Sequence, residues 1–409
     1  MLEGLLADSH LMPLEQLPAR VAERAAGAGF PELLIYVADL QRRVLRLLTG
    51  RGPDAGRAPE GTEAELRIEG TVPGRSYQSN QVLPDGSAEA GEYRWWVPLL
   101  DGVERIGVLR VTAATDDERV RRDMVSLASL IALMLVSKRS HSDAFARLTR
   151  TEPMNIAAEM QWHLMPPRTY ADGRVVISAA MEPAYRISGD AFDYATTESV
   201  VHLSIFDAMG HDTAAGLTAN LAMAACRNFR RQNAGLVEIT EGIEQALIEQ
   251  YRQTRYVTGI LADLDTRTGV LTWVNRGHHP PVIIRGGRWI SPLSCQPSHP
   301  MGTGLGLETT LCREQLEPGD RVVFYTDGIT EARGESDVEF GLDRFTDFLI
   351  RHHADGLPAP ETLRRLVHAV LEHHDGHLQD DATVLFCEWL GPTPAPARGA
   401  AELNGLTPS

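Results

Sequence analysis

Two aspartates in the second half of the chain each follow an apolar run with the composition of a buried β-strand. Asp207 comes directly after residues 203–206, and Asp327 directly after residues 322–326. A fold that packs such strands side by side brings their terminal acids together. Clustered carboxylates in a partly buried cleft repel one another, so this arrangement is tolerated only when a cation balances the charge.

Two further acidic positions repeat this placement. Asp190 lies within the segment 187–193, and Asp380-Asp381 stand just before an apolar run that begins at Thr383. With oxygen donors only, and no Cys or His at metal-site spacing, the pattern favours octahedral Mg²⁺ or Mn²⁺ over zinc. Two such ions about 3.5–4 Å apart lower the pKa of a shared water and clamp a phosphoryl oxygen.

Each acidic motif also has a simpler interpretation. Asp327-Gly328 fits a strand-end turn, and Asp380-Asp381 fits a solvated acidic loop. Asp190 and Asp193 fit an N-cap and an exposed turn acid. The order and context of all the acids together favour the metal site.

The 409 residues predict two or three domains with cores of their own. We expect an α/β (α+β) chain with a small N-terminal unit over residues 1–119, a helical connector over 120–166, a second unit over 167–390 and a disordered Pro/Gly/Ala-rich tail over 391–409. In the second unit, strands joined by hairpin-like turns alternate with helical stretches, which favours antiparallel sheets with helices packed outside.

The start of the connector carries apolar residues at alternating steps of four and three between Val120 and Leu148, which predicts one long helix. Two interpretations remain open at this point. The helix is either an amphipathic helix lying on its own domain or one strand of a parallel coiled coil that forms a homodimer.

The charge and the cysteine content limit which cellular compartment and which classes of partner we expect. The formal net charge of −16 repels nucleic acid and anionic lipid, so we expect neither as a partner. The longest apolar run, residues 130–136, is too short to span a bilayer, and no signal peptide is expected. The four cysteines contain no CxxC pair, which predicts neither a zinc ribbon nor a disulfide framework and favours the cytoplasm.

The acidic segments belong to a longer ordered series of motifs. In chain order these are residues 183–193, 206–215, 274–281, 318–320, 325–332, 340–341 and 380–383. The series resembles the metal-dependent Ser/Thr protein phosphatase superfamily (PPM), in its bacterial stage II sporulation (SpoIIE-type) branch, over residues ~160–390. The resemblance implies two packed antiparallel sheets, flanked by helices, with two divalent cations at one end of the sandwich.

Site residues follow from the resemblance position by position. It implies that Asp207 bridges both ions, that the Ala208 carbonyl and Asp190 complete the second site, and that Asp327 and Asp380 hold the first. Ser188 stands where a glycine is usual, so the resemblance predicts the loop before Asp190 less closely.

Two polar side chains are candidates for contacts with the substrate. Arg186 is a candidate for binding the phosphate, with a surface arginine as the alternative. His211 is a candidate general acid, with a structural turn residue as the alternative. We expect His278 and His279 to serve in turn and sheet-edge packing.

Residues 15–135 resemble a GAF sensor domain in architecture. This region has no cysteine, and no histidine lies between Leu11 and Ser140, which argues against a linked bilin or a His-ligated haem. A small organic ligand near Trp95 or Trp96 is one interpretation. The other is that one of these aromatics lies in the core and one at a dimer face.

The resemblance implies a phosphatase acting on phosphoserine or phosphothreonine of a regulatory protein, typically a STAS-type anti-sigma-factor antagonist, under control of the N-terminal sensor. Two alternatives are a metal-dependent phosphatase of small phosphoesters and a non-catalytic signalling scaffold. The full set of acids argues against the scaffold.

Overall fold

The structure is a computed structural model that describes residues 1–50, 62–86, 92–186, 189–331, 339–354, 357–374, 378 and 380–393. The chain divides into two compact units, with the boundary between Pro153 and Met154. Most of the segment expected to be a disordered tail, residues 394–409, lies outside the described residues.

The first unit is built on one antiparallel sheet in the order β3-β2-β1-β6-β5-β4. Its strands are β1 (Glu32–Ala38), β2 (Val44–Leu47), β3 (Glu65–Arg67), β4 (Leu83–Pro84), β5 (Tyr93–Asp101) and β6 (Glu104–Ala113). Its helices are α1 (Leu2–Ser9), α2 (Leu17–Ala26), α3 (Val72–Ser79), α4 (Glu118–Arg139) and α5 (Asp143–Thr149). Strands β5 and β6 form a hairpin, in which the pairing continues up to Asp101 and Glu104.

The apolar seam of α4 is buried inside the first unit. Met124, Leu127 and Ile131 belong to the same core cluster as strands β1, β5 and β6. Of the two interpretations, the structure therefore agrees with an amphipathic helix that lies on its own domain. The expectation of one helix to Leu148 is wrong, because α4 ends at Arg139 and Ser142 caps a new helix by accepting the Phe145 N–H at 3.3 Å.

Trp95 and Trp96 are both buried, with 7% and 5% of their surfaces exposed. They enter different core clusters, Trp95 with α1, α2 and α4, and Trp96 with the side of the sheet that α3 covers. The expectation that one of them lies at a dimer face is wrong, because neighbouring strand residues point to opposite faces and helices cover both faces of this sheet.

The second unit is a sandwich of two antiparallel sheets, with strand orders β15-β12-β11-β10-β9 and β14-β13-β16-β17-β8-β7. The strands are β7 (Thr169–Ala171), β8 (Val175–Glu182), β9 (Asp190–Thr196), β10 (Val200–Ala208), β11 (Val257–Asp265), β12 (Val270–Arg276), β13 (Val282–Arg285), β14 (Trp289–Pro292), β15 (Cys312–Gln315), β16 (Arg321–Tyr325) and β17 (Ala382–Trp389). The helices are α6 (Ile156–Leu164), α7 (Thr213–Arg230), α8 (Leu236–Tyr251), α9 (Asp327–Thr330), α10 (Gly341–Ala354) and α11 (Ala359–His373).

One core lies between the two sheets and continues under α7 and α8, which cover the first sheet. A second core joins the outer face of the second sheet to α10 and α11. The predicted sandwich of antiparallel sheets flanked by helices is therefore confirmed. In this arrangement, Asp207 lies near the end of β10, and Asp327 begins α9 two residues after the end of β16.

Two local expectations differ from the structure. Cys295 and Cys312 form a disulfide, although no disulfide was expected, because the fold brings together two cysteines whose spacing carries no pairing signal. Asp193 is not an exposed turn acid: it lies in β9 with 1% of its side chain exposed and pairs with Arg227 at 2.7 Å and Arg230 at 2.9 Å. Both arginines come from α7, so the acid ties that helix to the sheet.

In the part of the chain that the structure describes, no helix is long and apolar enough to cross a membrane.

Candidate active site

Four predicted acids come together where the two sheets meet. Asp190 and Asp207 face each other across the β9–β10 ladder in one sheet. Asp327 follows β16 and Asp380 precedes β17 in the other sheet, where these two strands are neighbours. The Thr326 hydroxyl donates a hydrogen bond of 2.7 Å to an Asp190 carboxylate oxygen, which joins the two sheets at this point.

The electrostatics of the cluster are those of crowded carboxylates, of which Asp190 is buried, Asp207 and Asp327 are half-buried and Asp380 is exposed. Burial, followed by the charges of Asp327, Asp380 and Asp381, raises the pKa of Asp207 to about 7. The pKa of Asp190 is raised well above its ordinary value by burial and then by Asp207 and Asp381. Among the described residues, no positively charged side chain contributes to the raised pKa of Asp190 or of Asp207. A divalent cation with oxygen ligands fits this donor set and this excess of negative charge.

Asp381 holds the backbone that leads into Asp190. One of its carboxylate oxygens accepts the backbone N–H of Gly189 at 2.6 Å and that of Asp190 at 3.3 Å. A Cβ at Gly189 would lie only 2.8 Å from the carbonyl oxygens of Ala208 and Gly210, so a glycine is required for this close approach. The sequence indicated the pair Asp380-Asp381 as a whole. It did not predict that Asp380 lies with the other acids while Asp381 holds the backbone before Asp190.

The Asp327-Gly328 pair begins the short helix α9, so the interpretation as a simple strand-end turn is wrong. A Cβ at Gly328 would collide with the backbone carbonyl of Asp381. The glycine therefore lets α9 pack directly on the chain leading into β17, which places Asp327 beside Asp380.

His278 links the two sheets close to the acids. Burial lowers the pKa of His278 to about 4, with a further lowering by His279, so the ring is neutral at pH 7. Its Nε2 lies 3.0 Å from the carbonyl oxygen of Tyr325 and its Nδ1 2.8 Å from the hydroxyl of Thr258. The neutral ring therefore donates from Nε2 and accepts from Thr258, the residue that pairs with Asp207 in the sheet. The expectation of sheet-edge packing missed this role.

Helix α6 contacts the loop before Asp190 through three hydrogen bonds. The side chain of Gln161, which is fully buried, donates to the Asp190 carbonyl at 2.7 Å. The Trp162 indole donates to the Ala184 carbonyl at 2.7 Å, and the Asn155 N–H donates to the Tyr185 carbonyl at 2.9 Å. No motif in the sequence indicated these contacts.

The remaining predicted residues lie around the acids. Ala208 is buried, whereas Arg186 and His211 are exposed. Burial raises the pKa of Asp380, and the nearby His211 acts in the opposite direction. Ser188 lies outside the described residues, so the structure does not describe the departure from the usual glycine.

Comparison with known proteins was consistent with this architecture. Residues 197–390 match the family model "Stage II sporulation protein E (SpoIIE)". The curated relative "Phosphoserine phosphatase RsbU" of Bacillus subtilis is 22% identical over 57% of this chain and 68% of its own length.

Two solved structures are also similar. The SiaA-PP2C domain of Pseudomonas aeruginosa is 22% identical, with a TM-score of 0.50, over 57% of this chain and 94% of that chain. The catalytic domain of the phosphatase PstP, in complex with two manganese ions, is 16% identical, with a TM-score of 0.38, over 53% of this chain and 98% of that chain. Residues 197–390 of this chain form a domain of the SpoIIE family, on the fold of PP2C-type serine/threonine phosphatases.

Proposed function

We propose that the protein is a metal-dependent phosphatase that hydrolyses phosphoserine or phosphothreonine on a regulatory protein. The observation that carries this proposal is the meeting of Asp190, Asp207, Asp327 and Asp380 at one end of the sandwich, with the pKa of Asp207 raised to about 7 by burial and by its neighbours. Uncatalysed hydrolysis of phosphate monoesters is among the slowest reactions known, so positioning of the substrate alone is insufficient.

Two Mn²⁺ or Mg²⁺ ions fit the oxygen donors. Asp207 would contact both, the Ala208 carbonyl and Asp190 would complete one site, and Asp327 and Asp380 would complete the other. When bound, such ions stabilise charge on a phosphoryl oxygen and lower the pKa of water. The protein contributes the orientation of the ligands, because Thr326 fixes the carboxylate of Asp190 by a hydrogen bond of 2.7 Å.

Two exposed side chains complete the proposed site. The guanidinium of Arg186 has the geometry to bind a substrate phosphate with two hydrogen bonds. We assign His211 as the general acid that protonates the departing seryl or threonyl oxygen, and its position near Asp380 supports this role.

For the substrate we infer a STAS-type anti-sigma-factor antagonist in the cytoplasm. This inference rests on the resemblance to the SpoIIE-type branch and on the relative named a phosphoserine phosphatase. The first unit would act as a GAF-like sensor, with a small organic molecule as its ligand. Because the apolar seam of α4 is buried in this unit, a homodimer joined through residues 120–166 would use the exposed face of α4, which carries Val125 and Leu133. The contacts of α6 with the Asp190 loop provide a route by which a signal could reach the site.

The site assignment is tested by Asp207→Asn and Asp327→Asn in the full chain. Both variants should lose Mn²⁺-dependent release of phosphate from p-nitrophenyl phosphate while keeping the circular dichroism spectrum of the wild type. Asp263→Asn, which changes a partly exposed acid elsewhere on the same sheet, is the matched control and should retain the activity. Wild-type rates in Asp207→Asn would refute the site.

Substrate class is tested by comparing phosphoproteins with free phosphoamino acids and nucleotides. Faster turnover of phosphorylated STAS proteins supports the proposal, and preference for the small phosphoesters favours the first alternative. If neither is hydrolysed at saturating Mn²⁺ while a regulatory protein still binds, the chain is the scaffold of the second alternative.

A further inference from the structure

A second group of ligand atoms lies on the outer side of Asp327. A ring nitrogen of His279 and carboxylate oxygens of Asp327 and Glu331 all lie within 4.8 Å of one another. Among the described residues, this is the one group of three or more such side chains that meets this distance. His279 and Glu331 are not among the residues to which the resemblance assigns a metal.

The three side chains are held in place by different parts of the fold. The ring of His279 stacks on Tyr325, with an interplanar angle of 16° and ring centroids 6.3 Å apart. Asp327 and Glu331 lie at the two ends of α9, where the Glu331 N–H donates to the Asp327 carbonyl at 2.7 Å. The stacking restricts the histidine ring, and the helical turn sets the spacing of the two acids.

The contacts within the group are not those of a histidine paired with an acid. In the described part of the chain, no hydrogen bond or ion pair joins the His279 ring to Asp327 or Glu331, whereas His202 and Asp263 of the same domain do form such a pair at 2.6 Å. One imidazole nitrogen and two carboxylate oxygens that do not bond to one another are arranged to bind a divalent cation together.

We propose that His279, Asp327 and Glu331 form a further divalent cation site that takes Zn²⁺ in preference to Mg²⁺. Zn²⁺ accepts both imidazole nitrogen and carboxylate oxygen, and three protein ligands leave a position for water. Mg²⁺ accepts imidazole poorly, so the acids of the proposed active site and this site differ in the ion they favour. The inference does not depend on the hydrolase reaction, although Asp327 belongs to both groups.

Zinc binding to the full chain in excess Mg²⁺, followed with a competing chromophoric chelator, tests the proposal. The wild type should bind one tight equivalent of Zn²⁺. Both His279→Ala and Glu331→Gln should weaken that equivalent at least tenfold, and the exposed His163→Ala should leave it unchanged. With Co²⁺ as the probe, the visible absorption spectrum of the bound ion should change in His279→Ala.

Asp207→Asn separates this site from the proposed active site. It should keep the zinc equivalent while losing phosphatase activity. Loss of the zinc equivalent in Asp207→Asn, or retention of wild-type zinc affinity in either His279→Ala or Glu331→Gln, would overturn the proposal. Melting temperatures measured in EDTA establish that the exposed substitutions leave the fold intact.

Discussion

At the level of residues, hydrogen bonds from the opposite sheet hold the carboxylate and the backbone of Asp190. Asp190, Asp207, Asp327 and Asp380 stand out because each adjoins an apolar run. Asp381 and Thr326 act on Asp190 from the opposite sheet, across 191 and 136 positions of sequence, and a single sequence does not show such pairings. For the same reason, the link from Thr258 to Tyr325 through His278 was missed.

The raised pKa of Asp207 predicts how the stability of the metal-free protein depends on pH. The folded state holds this proton up to about pH 7, whereas the unfolded chain releases it near 3.8. Because the folded state binds more protons in this interval, the free energy of unfolding falls as the pH rises from about 4 to about 7. Asp207→Asn should show a smaller fall than the wild type.

Urea unfolding in EDTA at pH 5 and pH 8 checks this prediction. The low pKa of His278 makes the free energy of unfolding rise with pH. This contribution is the same in the wild type and in Asp207→Asn, so it cancels in the comparison. An equal change in both proteins between the two pH values would contradict the account of Asp207.

Thr326 provides a test of the link between the sheets. Thr326→Val removes the hydrogen bond to Asp190 and leaves the buried Thr383 N–H, now bonded at 2.9 Å, without its acceptor. We expect a loss of about 1–3 kcal/mol in the free energy of unfolding, together with weaker Mn²⁺ binding. Thr326→Ser keeps the hydroxyl and should behave like the wild type. A loss of stability in Thr326→Ser with wild-type stability in Thr326→Val would show that the methyl packing matters instead.

At the level of elements, the strands of the sandwich were more predictable than the helix contacts. The apolar runs 203–206 and 322–326 were expected as buried strands, and the structure has β10 and β16 at these positions. Strands can be recognised from the spacing of apolar residues and from the turn residues on either side, because both are features of a short stretch of sequence. The break between α4 and α5 escaped prediction because the apolar spacing continues across it, although Ser142 caps a new helix there.

Helix α6 yields a prediction about metal affinity. Gln161→Ala removes the donor to the buried Asp190 carbonyl, and the loop that orients Asp190 loses one of its supports. We expect Mn²⁺ to bind several-fold more weakly, with kcat at saturating Mn²⁺ changed less than the Mn²⁺ requirement. A titration of activity against Mn²⁺ concentration measures both quantities.

His163→Ala, on the exposed side of the same helix, is the control and should match the wild type. An unchanged Mn²⁺ requirement in Gln161→Ala would show that α6 does not position Asp190.

At the level of the whole molecule, the two units have separate cores. Among the residues that the structure describes, the clusters built around β1–β6 contain no residue of the sandwich, and the sandwich clusters contain none from the first unit. The length predicted more than one domain, and the structure places the boundary between Pro153 and Met154. The assignment of residues 120–166 as a connector remains a prediction, with α4 and α5 in the first unit and α6 in the second.

Separate cores predict separate responses to metal. Differential scanning calorimetry of the full chain should show two transitions, of which Mn²⁺ raises only the one from the sandwich. An ion present at 100 times its Kd stabilises the folded state by about 2.7 kcal/mol. In Asp207→Asn, the same addition of Mn²⁺ should shift neither transition appreciably. Equal shifts of both transitions in the wild type would show that the units unfold as one.

The central claim is that the acids around Asp207 form a site for two divalent cations. Anomalous diffraction from crystals soaked in Mn²⁺ tests it most directly. The account predicts two peaks within coordination distance of the Asp207 carboxylate, one shared with Asp190 and one with Asp327 and Asp380. Crystals saturated with Mn²⁺ that show no peak beside Asp207 would contradict it.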